Sequence, residues 1–469
     1  MSKREADDDE GEGSVGLEAI PDTLDLHNTN PTQVAILGGR FLLIPPHRAL
    51  DKTTGKIYFE FETDAEQYVD PLNTFLYIGS QILHKDGTPI PLAAAGAHNR
   101  KANILFVNGI SHAWFKNCEV KINSQVVDHG DNLYMYRGDL ETRLSYSRQT
   151  KEGSLNISGW DEEALPFDGI DVAHDFPNEV MDDDEPHPSI IRRYLRTTGG
   201  KVFWTIGKIH SPIFDQKKSL PDHTKIEVTL DRNPSEFVTL THGADPEDKM
   251  ARIDQIFLLA RLNDVDARIS EDIKAVTHSG TACKYPIRRT RTATYTHERG
   301  GTEIAIADLI PGETEMPSRI FLVFVKESAK GGGFKEDPFN YQHFRMQSLS
   351  LKVGGESIPM PEMKMNFQQG DYLLPLFSLL HSVNAFLTNE DIGIDFHNYP
   401  IRNCIYGFDL KGNGNEIGET FSRAQHKTVS LHARLTEALG YHISLIVYAE
   451  YDSEIQITAD KKITKHLNG

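Results

Sequence analysis

Cysteine is scarce in this 469-residue chain, at Cys118, Cys283 and Cys404 alone. The three are widely spaced, odd in number and form no Cys-x-x-Cys pair. A disulfide framework and a thiolate zinc site are therefore not expected, and buried thiols in a reducing compartment are. Long apolar runs are missing too. The longest, such as 443–449, fall far short of the roughly 20 residues that cross a bilayer, so no membrane insertion is expected. The N-terminus, Met-Ser-Lys-Arg followed by acids, carries no apolar segment and gives no expectation of a secretory signal. Motifs for chemistry are also missing. There is no His-x-His pair of the cupin type and no His-Glu-x-x-His zinc helix; His297-Glu-Arg-Gly-Gly301 starts like the latter and lacks the second histidine. A Gly-x-Ser-x-Gly elbow and a Gly-x-x-x-x-Gly-Lys phosphate loop are likewise not found, and Gly331-Gly-Gly333 reads as a flexible loop. No catalytic, cofactor-binding or metal-ligating residue is assigned, no cofactor is expected, and the chain is read as a non-enzyme.

What is present is acidity, but only locally. The formal net charge is -19. Residues 1–16 contribute -4 and residues 161–185, with eleven acids and no lysine or arginine, contribute -11, leaving -4 for the rest. Such runs read as solvated, self-repelling segments. A surface that wraps nucleic acid needs the opposite sign, so genome contact is expected to be indirect or weak. Hydrophobic residues make up 39% of the chain, with 23 Phe and 16 Tyr, which is ample for real cores. The length suits two domains.

Short stretches of period-2 alternation or continuous β-rich apolar residues dominate, separated by Gly, Asn, Asp and Pro. Examples are Lys56–Glu62, Cys118–Ile122, Lys225–Leu230, Ile320–Val325, Leu349–Val353 and His442–Glu450. Each reads as a strand. Helical periodicity is sparse, the better candidates being Asn132–Tyr146, Gly370–Leu387 and Leu431–Leu439. Many short strands between turn signals predict an all-β sandwich or barrel protein. Two segments, 147–200 and 359–369, read as long excursions. The first holds the acidic block and four prolines.

A weak internal echo points to two similar halves. Phe115–Ile122 leads into a polar turn at Asn123-Ser-Gln125, then Val126 and later a Tyr-rich stretch, Tyr134–Tyr146. Phe344–Val353 leads into Gly354-Gly355, then Ile358 and later Tyr372–Leu380.

Several segments follow one another in a distinctive order. Tyr68-Val-Asp-Pro71 comes before Leu72–Leu83; Trp114-Phe115 before the Val120–Asn123 strand, with Tyr134-Met-Tyr136 and Leu144 after it; and Gly207-Lys-Ile-His210, Ile213-Phe214 and Leu220-Pro221 before the Ile226–Leu230 strand and Phe237. In the C-terminal half come Lys284-Tyr-Pro286, then Asp337-Pro-Phe-Asn-Tyr-Gln-His-Phe344 before the Leu349 strand, and Tyr406-Gly-Phe-Asp-Leu410 followed by Leu431–Leu435 and Ile446-Val-Tyr-Ala-Glu-Tyr-Asp452. Over residues 20–460 this order resembles a family, the double jelly-roll major capsid proteins of Polinton (Maverick) elements and adintovirus-like double-stranded DNA viruses. The chain departs from the family pattern after Leu410, where Lys411-Gly-Asn-Gly-Asn415 replaces a Thr-Pro-Asp type turn. The resemblance implies two tandem jelly rolls, an acidic tail over 1–19, a first roll over 20–275 with the 147–200 excursion, and a second over 276–469. Ile256–Arg268 either closes the first roll or bridges to the second. It further implies a homotrimeric, pseudo-hexameric capsomer in a virion shell. Neighbouring capsomers, a penton-like single jelly-roll protein and minor capsid proteins would be its partners, with assembly inside the host cell, in the nucleus. The alternative is a cellular jelly-roll binding module of lectin type, with a concave polar site.

The remaining conspicuous residues have ordinary readings. Trp114, Phe115, Trp204, Phe344 and Phe408 are expected in cores or between rolls rather than stacked on a ligand. Asp182-Asp-Asp-Glu185 could hold a hard cation but lacks EF-hand spacing and reads as a solvated loop. Arg192, Arg193 and Arg196 are placed to pair with the acids before them, in exposed pairs worth about 0–1 kcal/mol. Arg288-Arg-Thr-Arg291 and Lys461-Lys462 with Lys465 are read as a charged rim rather than a genome contact. Asn156-Ile-Ser158 is an incidental glycosylation sequon.

Overall fold

The computed structural model describes residues 32–53, 55–91, 104–163, 188–241, 248–412 and 425–467. The tail over 1–19 and the Asp182–Glu185 run lie outside these. Ten strands form in the first half: β1 (Ile36–Ile44), β2 (Lys56–Glu62), β3 (Gln67–His84), β4 (Ile104–Phe106), β5 (Phe115–Ile122), β6 (Gln125–Asp128), β7 (Phe203–Lys208), β8 (Lys225–Arg232), β9 (Thr239–Thr241) and β10 (Lys249–Val265). Ten follow in the second: β11 (Cys283–His297), β12 (Glu303–Ile306), β13 (Arg319–Lys326), β14 (Met346–Val353), β15 (Glu356–Ser357), β16 (Met363–Lys364), β17 (Ile405–Asp409), β18 (Val429–Leu435), β19 (Ile443–Ile457) and β20 (Ile463–Leu467).

The alternation read from sequence is physically realised. In β8 every second residue, Ile226, Val228, Leu230, is buried while Lys225, Glu227 and Thr229 face outward. Such strands have one face to hide, and they hide it by packing sheet on sheet. The first half forms a sheet ordered β1-β10-β3-β7 and a second ordered β2-β8-β5-β6. The second half forms β11-β19-β13-β17 and β12-β18-β14-β15, with β20 added to β19 and β16 to β14. With the short β4–β9 ribbon set aside, the eight principal strands of the first half are ordered 1-8-3-6 and 2-7-4-5. The second half, without β16 and β20, repeats that order. This is the jelly-roll topology of two interlocked Greek keys, present twice.

The internal echo thus has a structural basis. β5, its turn, β6 and helix Tyr134–Ser145 are matched by β14, its turn, β15 and helix Leu373–Ser382. Both turns use left-handed backbone: Asn123 (φ 50°) and Ser124 (φ 63°) in the first, Gly354 (φ 60°) and Gly355 (φ 92°) in the second. Most of Ile256–Arg268 is β10, paired with β1 and β3, so this segment closes the first roll. The 275/276 boundary falls within helix Ala267–His278, capped by the Asp266 side chain on the Arg268 amide.

Three expectations need correction. Leu431–Leu439 is not helical; Val429–Leu435 alternates buried Val, Leu, Ala and Leu with outward Ser, His and Arg, and pairs with β14 and β12. The 147–200 stretch is not a plain excursion. Its described parts fold into helices Arg148–Glu152 and Pro188–Thr197 and a 3₁₀ turn at Ser154–Ser158. The 359–369 excursion contains β16, which pairs with β14.

Candidate functional site

The chain's most elaborate chemistry lies at the seam between the rolls. Helix Tyr134–Ser145 belongs to the first roll, packs on β5, and is buried on nearly all sides, charged residues included. Its Tyr136 meets Phe339 edge-on at 5.7 Å, and Phe237 meets the same ring at 5.8 Å. Phe339 lies in the Asp337–Phe344 segment of the second roll. That segment is held in shape by Asp337, whose carboxylate accepts the Phe339 amide at 2.9 Å.

Around this aromatic cluster runs a buried ionic network. Arg143 donates to Asp139 one turn away (2.7 Å) and to the Phe339 carbonyl (3.1 Å), and its guanidinium lies 4.9 Å from the Tyr341 ring centre. The Tyr341 hydroxyl donates to Asp139 at 2.7 Å. Arg402 pairs with Asp337 at 3.2 Å and also contacts Glu163, which in turn contacts Arg193. Arg193 donates to the Phe106 carbonyl at 3.0 Å. Lys151 donates to the carbonyls of Arg143 (2.7 Å) and Ile392 (2.6 Å). Burial pushes the Asp337 carboxyl up, the Arg193 guanidinium down to about 10 and the Lys151 ammonium down to about 8.

A second group lies where the seam meets β19. Glu141 accepts from Arg137 (2.9 Å) and from the Tyr448 hydroxyl (3.2 Å), and lies 2.7 Å from His210 Nδ1. Burial alone would raise the Glu141 carboxyl, but Arg137 and His210 hold it well below the usual range. His112 stands edge-on to His210 at 5.4 Å; burial and its neighbour His210 depress it to about 3, so it is neutral at physiological pH. Arg143, Asp139, Glu141, Lys151 and Glu163 each reach a residue of the second roll, and so tie the two rolls together.

Asp161 and Glu163 correct the reading of the acidic block. Both are buried. Asp161 pairs with Arg192 at 3.0 Å and with Arg196 at 3.2 Å, and Glu163 with Arg193 and Arg402. The expected arginine–acid pairing forms, but against buried carboxylates rather than on an exposed rim. The basic run 288–291 is paired as well, Arg289 and Arg291 with Glu313 and Arg288 with Glu450 at 3.4 Å. Lys461 donates to the His223 carbonyl, and Lys462 pairs with Asp460.

Of the singled-out aromatics, Trp114, Phe115, Phe344 and Phe408 are buried, and the Trp114 indole donates to Ser80 at 2.8 Å. Trp204 differs: it stands exposed on a sheet face, stacked on Tyr77 at 4.5 Å. Cys118 and Cys404 are buried, burial pushing the first thiol far up and the second to about 12, whereas Cys283 is only half-buried. Among the described residues no group of three or more His, Cys, Asp or Glu side chains is arranged to hold a metal ion. A cleft of about 320 Å³ lies beside β14, lined by His343, Gln347, Asn366, Phe367 and Glu437 among others. His343 and Phe367 stack on one another there at 4.1 Å. Sequence patterning gave no signal for the seam, because its partners lie far apart in the chain, Glu141 and Tyr448 by 307 residues.

Two rolls of one topology in one chain, sealed by a buried seam, define a double jelly-roll protein. The chain matches no family model. It is 22% identical over 434 residues to an uncharacterized protein of Caenorhabditis elegans, covering 90% of this chain and 95% of that one. In three dimensions it is similar to a chain of the Sputnik virophage (TM-score 0.57, 9% identity, 97% of this chain and 93% of that one). It is also similar to the mavirus major capsid protein (0.53, 12%, 98% and 97%) and to the Faustovirus major capsid protein (0.51, 8%, 95% and 92%). At such identities the likeness is one of fold, and the neighbours are viral capsid proteins of the double jelly-roll kind.

Proposed function

We propose that this chain is a major capsid protein, building the shell of a double-stranded DNA virus or of a Polinton (Maverick)-like element, and that it performs no catalysis. The observation that carries this is the twice-repeated roll, matched by viral capsid chains over nearly their whole length as well as its own. A relative of similar extent in a nematode supports an element that resides in animal chromosomes. The working unit is a homotrimer: two rolls per chain and three chains give six similar wedges, which tile a hexagonal lattice, and rotational closure completes the ring. The rolls are assigned to 20–275 and 276–469, with 1–19 as an acidic tail. Neighbouring capsomers, a penton-like single jelly-roll protein and minor capsid proteins are its partners, with assembly in the host nucleus. The seam's spent charges and paired basic runs support indirect rather than direct genome contact.

Size-exclusion chromatography with light scattering on the full chain, followed by negative-stain imaging, tests the proposal. Trimers of hexagonal outline, or shells, are expected. A stable monomer that binds a sugar or metal tightly would instead favour the lectin-like alternative.

A further inference from the structure

The two rolls share one strand order, yet their outward sheet faces have different fates. In an antiparallel pair, residues directly opposite each other share a face. The register of the second roll aligns Phe321 with Tyr448 and Val323 with Ile446, and all four are fully buried. Two elements cover them. Helix Tyr134–Ser145 of the first roll reaches Tyr448 through Glu141. Helix Leu373–Ser382 lies on Gly407, where an added Cβ would come within 3.0 Å of Leu379. The edge strand β11 is covered as well: its Thr292 amide donates to Asp131, and its Pro286 carbonyl accepts from Gln216.

The corresponding face of the first roll is only partly buried. The register aligns Leu43 with Leu259 and Phe75, and Phe257 with Tyr77 and Ile206. These rows face away from the buried Leu258 and Leu76. On the edge strand β1, Phe41 and Leu43 are each 51% exposed. A largely apolar sheet face of this kind, interrupted by Arg261 over the Phe41 ring and by Lys208 opposite Phe75, marks an interaction surface. The second roll carries the complementary feature. Helix Leu373–Ser382 is apolar around most of its circumference, and a helix of that composition is ordinarily buried. Its outward Leu373 is 61% exposed, and Leu387 just beyond it is 90% exposed.

We infer that the outward face of β1-β10-β3-β7 is the docking site for a second copy of this chain, seated through helix Leu373–Ser382 and Leu387 of that copy's second roll. The contact repeats between chains the arrangement by which the first roll's helix Tyr134–Ser145 sits on the second roll within a chain. It rests on the capsid reading and names the partner surface. Such a contact joins two different patches, so it is head-to-tail and must either close into a ring or run on as a filament; closure at three chains gives six rolls.

Two full-length variants test it, Phe41→Glu/Leu43→Glu and Leu373→Glu/Leu387→Glu. Each is expected to lose the trimer mass by light scattering while keeping the far-UV circular dichroism of the parent. Mixed together they are expected to form a one-to-one dimer, because each supplies the surface the other lacks. Trimers that persist in both variants, or folded variants that fail to associate on mixing, would overturn the inference while leaving the capsid reading intact. A parent chain that stays monomeric at every concentration would overturn both. Hydrogen exchange on the unaltered chain guards against misfolding: amides of 36–44 are expected to slow on trimer formation, and equal exchange in monomer and trimer would refute the site.

Discussion

Arg402 holds two carboxylates from different parts of the chain, Asp337 and Glu163, in a buried site. Replacing it by methionine takes from buried Asp337 its direct ion-pair partner, leaving only the more distant Arg193 and Arg143, and is expected to cost about 3–5 kcal/mol in urea denaturation. A loss under about 1 kcal/mol would show that the site rehydrates. Glu141 supplies a pH dependence. Its carboxyl titrates below the ordinary 4.5 in the folded chain, so the stabilisation is complete above that pH and drains away as acid carries the protein through the lower, folded value. Thermal midpoints measured from pH 6 to 3 are expected to fall, and Glu141→Gln is expected to flatten the fall while lowering the plateau. The residue scale is where sequence reading was weakest. Asp161 and Glu163 were read with the acids that follow them, since charge counted along the chain says nothing about burial. Their partners, Arg192, Arg193 and Arg196, were nonetheless legible as a cluster placed to meet them.

Strands were legible because one buried face imposes alternation, as in β8 and β14. Helices were legible only where a whole stripe is apolar, as at Tyr134–Ser145 and Leu373–Ser382. Helix Ala267–His278 escaped because its surface is largely solvated, with Ser270 its one buried residue, so packing left little mark on its composition. The Leu431–Leu439 stretch misled because leucines four apart suit both periods, and pairing with β14 decided for the strand. At this scale the close approach of helix Leu373–Ser382 to β17 depends on Gly407. A Cβ there would stand 2.6 Å from Ser382 Oγ and 3.0 Å from Phe321. Gly407→Val is expected to push the helix off the strand at a cost of about 1–3 kcal/mol, read as a lower denaturation midpoint with an unchanged slope.

At the scale of the whole molecule, most of the buried apolar residues described in the two rolls form one connected cluster. The second roll takes part of its cover from the first, since buried Tyr448 is reached by Glu141 of helix Tyr134–Ser145. A chain beginning at residue 276 is therefore expected to aggregate or to bind a hydrophobic dye strongly. A monodisperse, cooperatively melting second roll would show that it completes itself. The double-roll architecture was legible through the echo of strand, turn, return strand and helix. The seam was not, because nothing in a local pattern reveals a partner hundreds of positions away.

Helix Tyr134–Ser145 also bears on timing. Synthesis runs from the N-terminus, and N-terminal units generally fold first. The first roll is complete once β10 has left the ribosome, before any strand of the second has emerged. Its helix then waits as a preformed template, and the later strands emerge one after another beside a surface already shaped to receive them. Reversing the gene order of the two halves would remove that chaperone-like head start while leaving the strand order of each roll as it is.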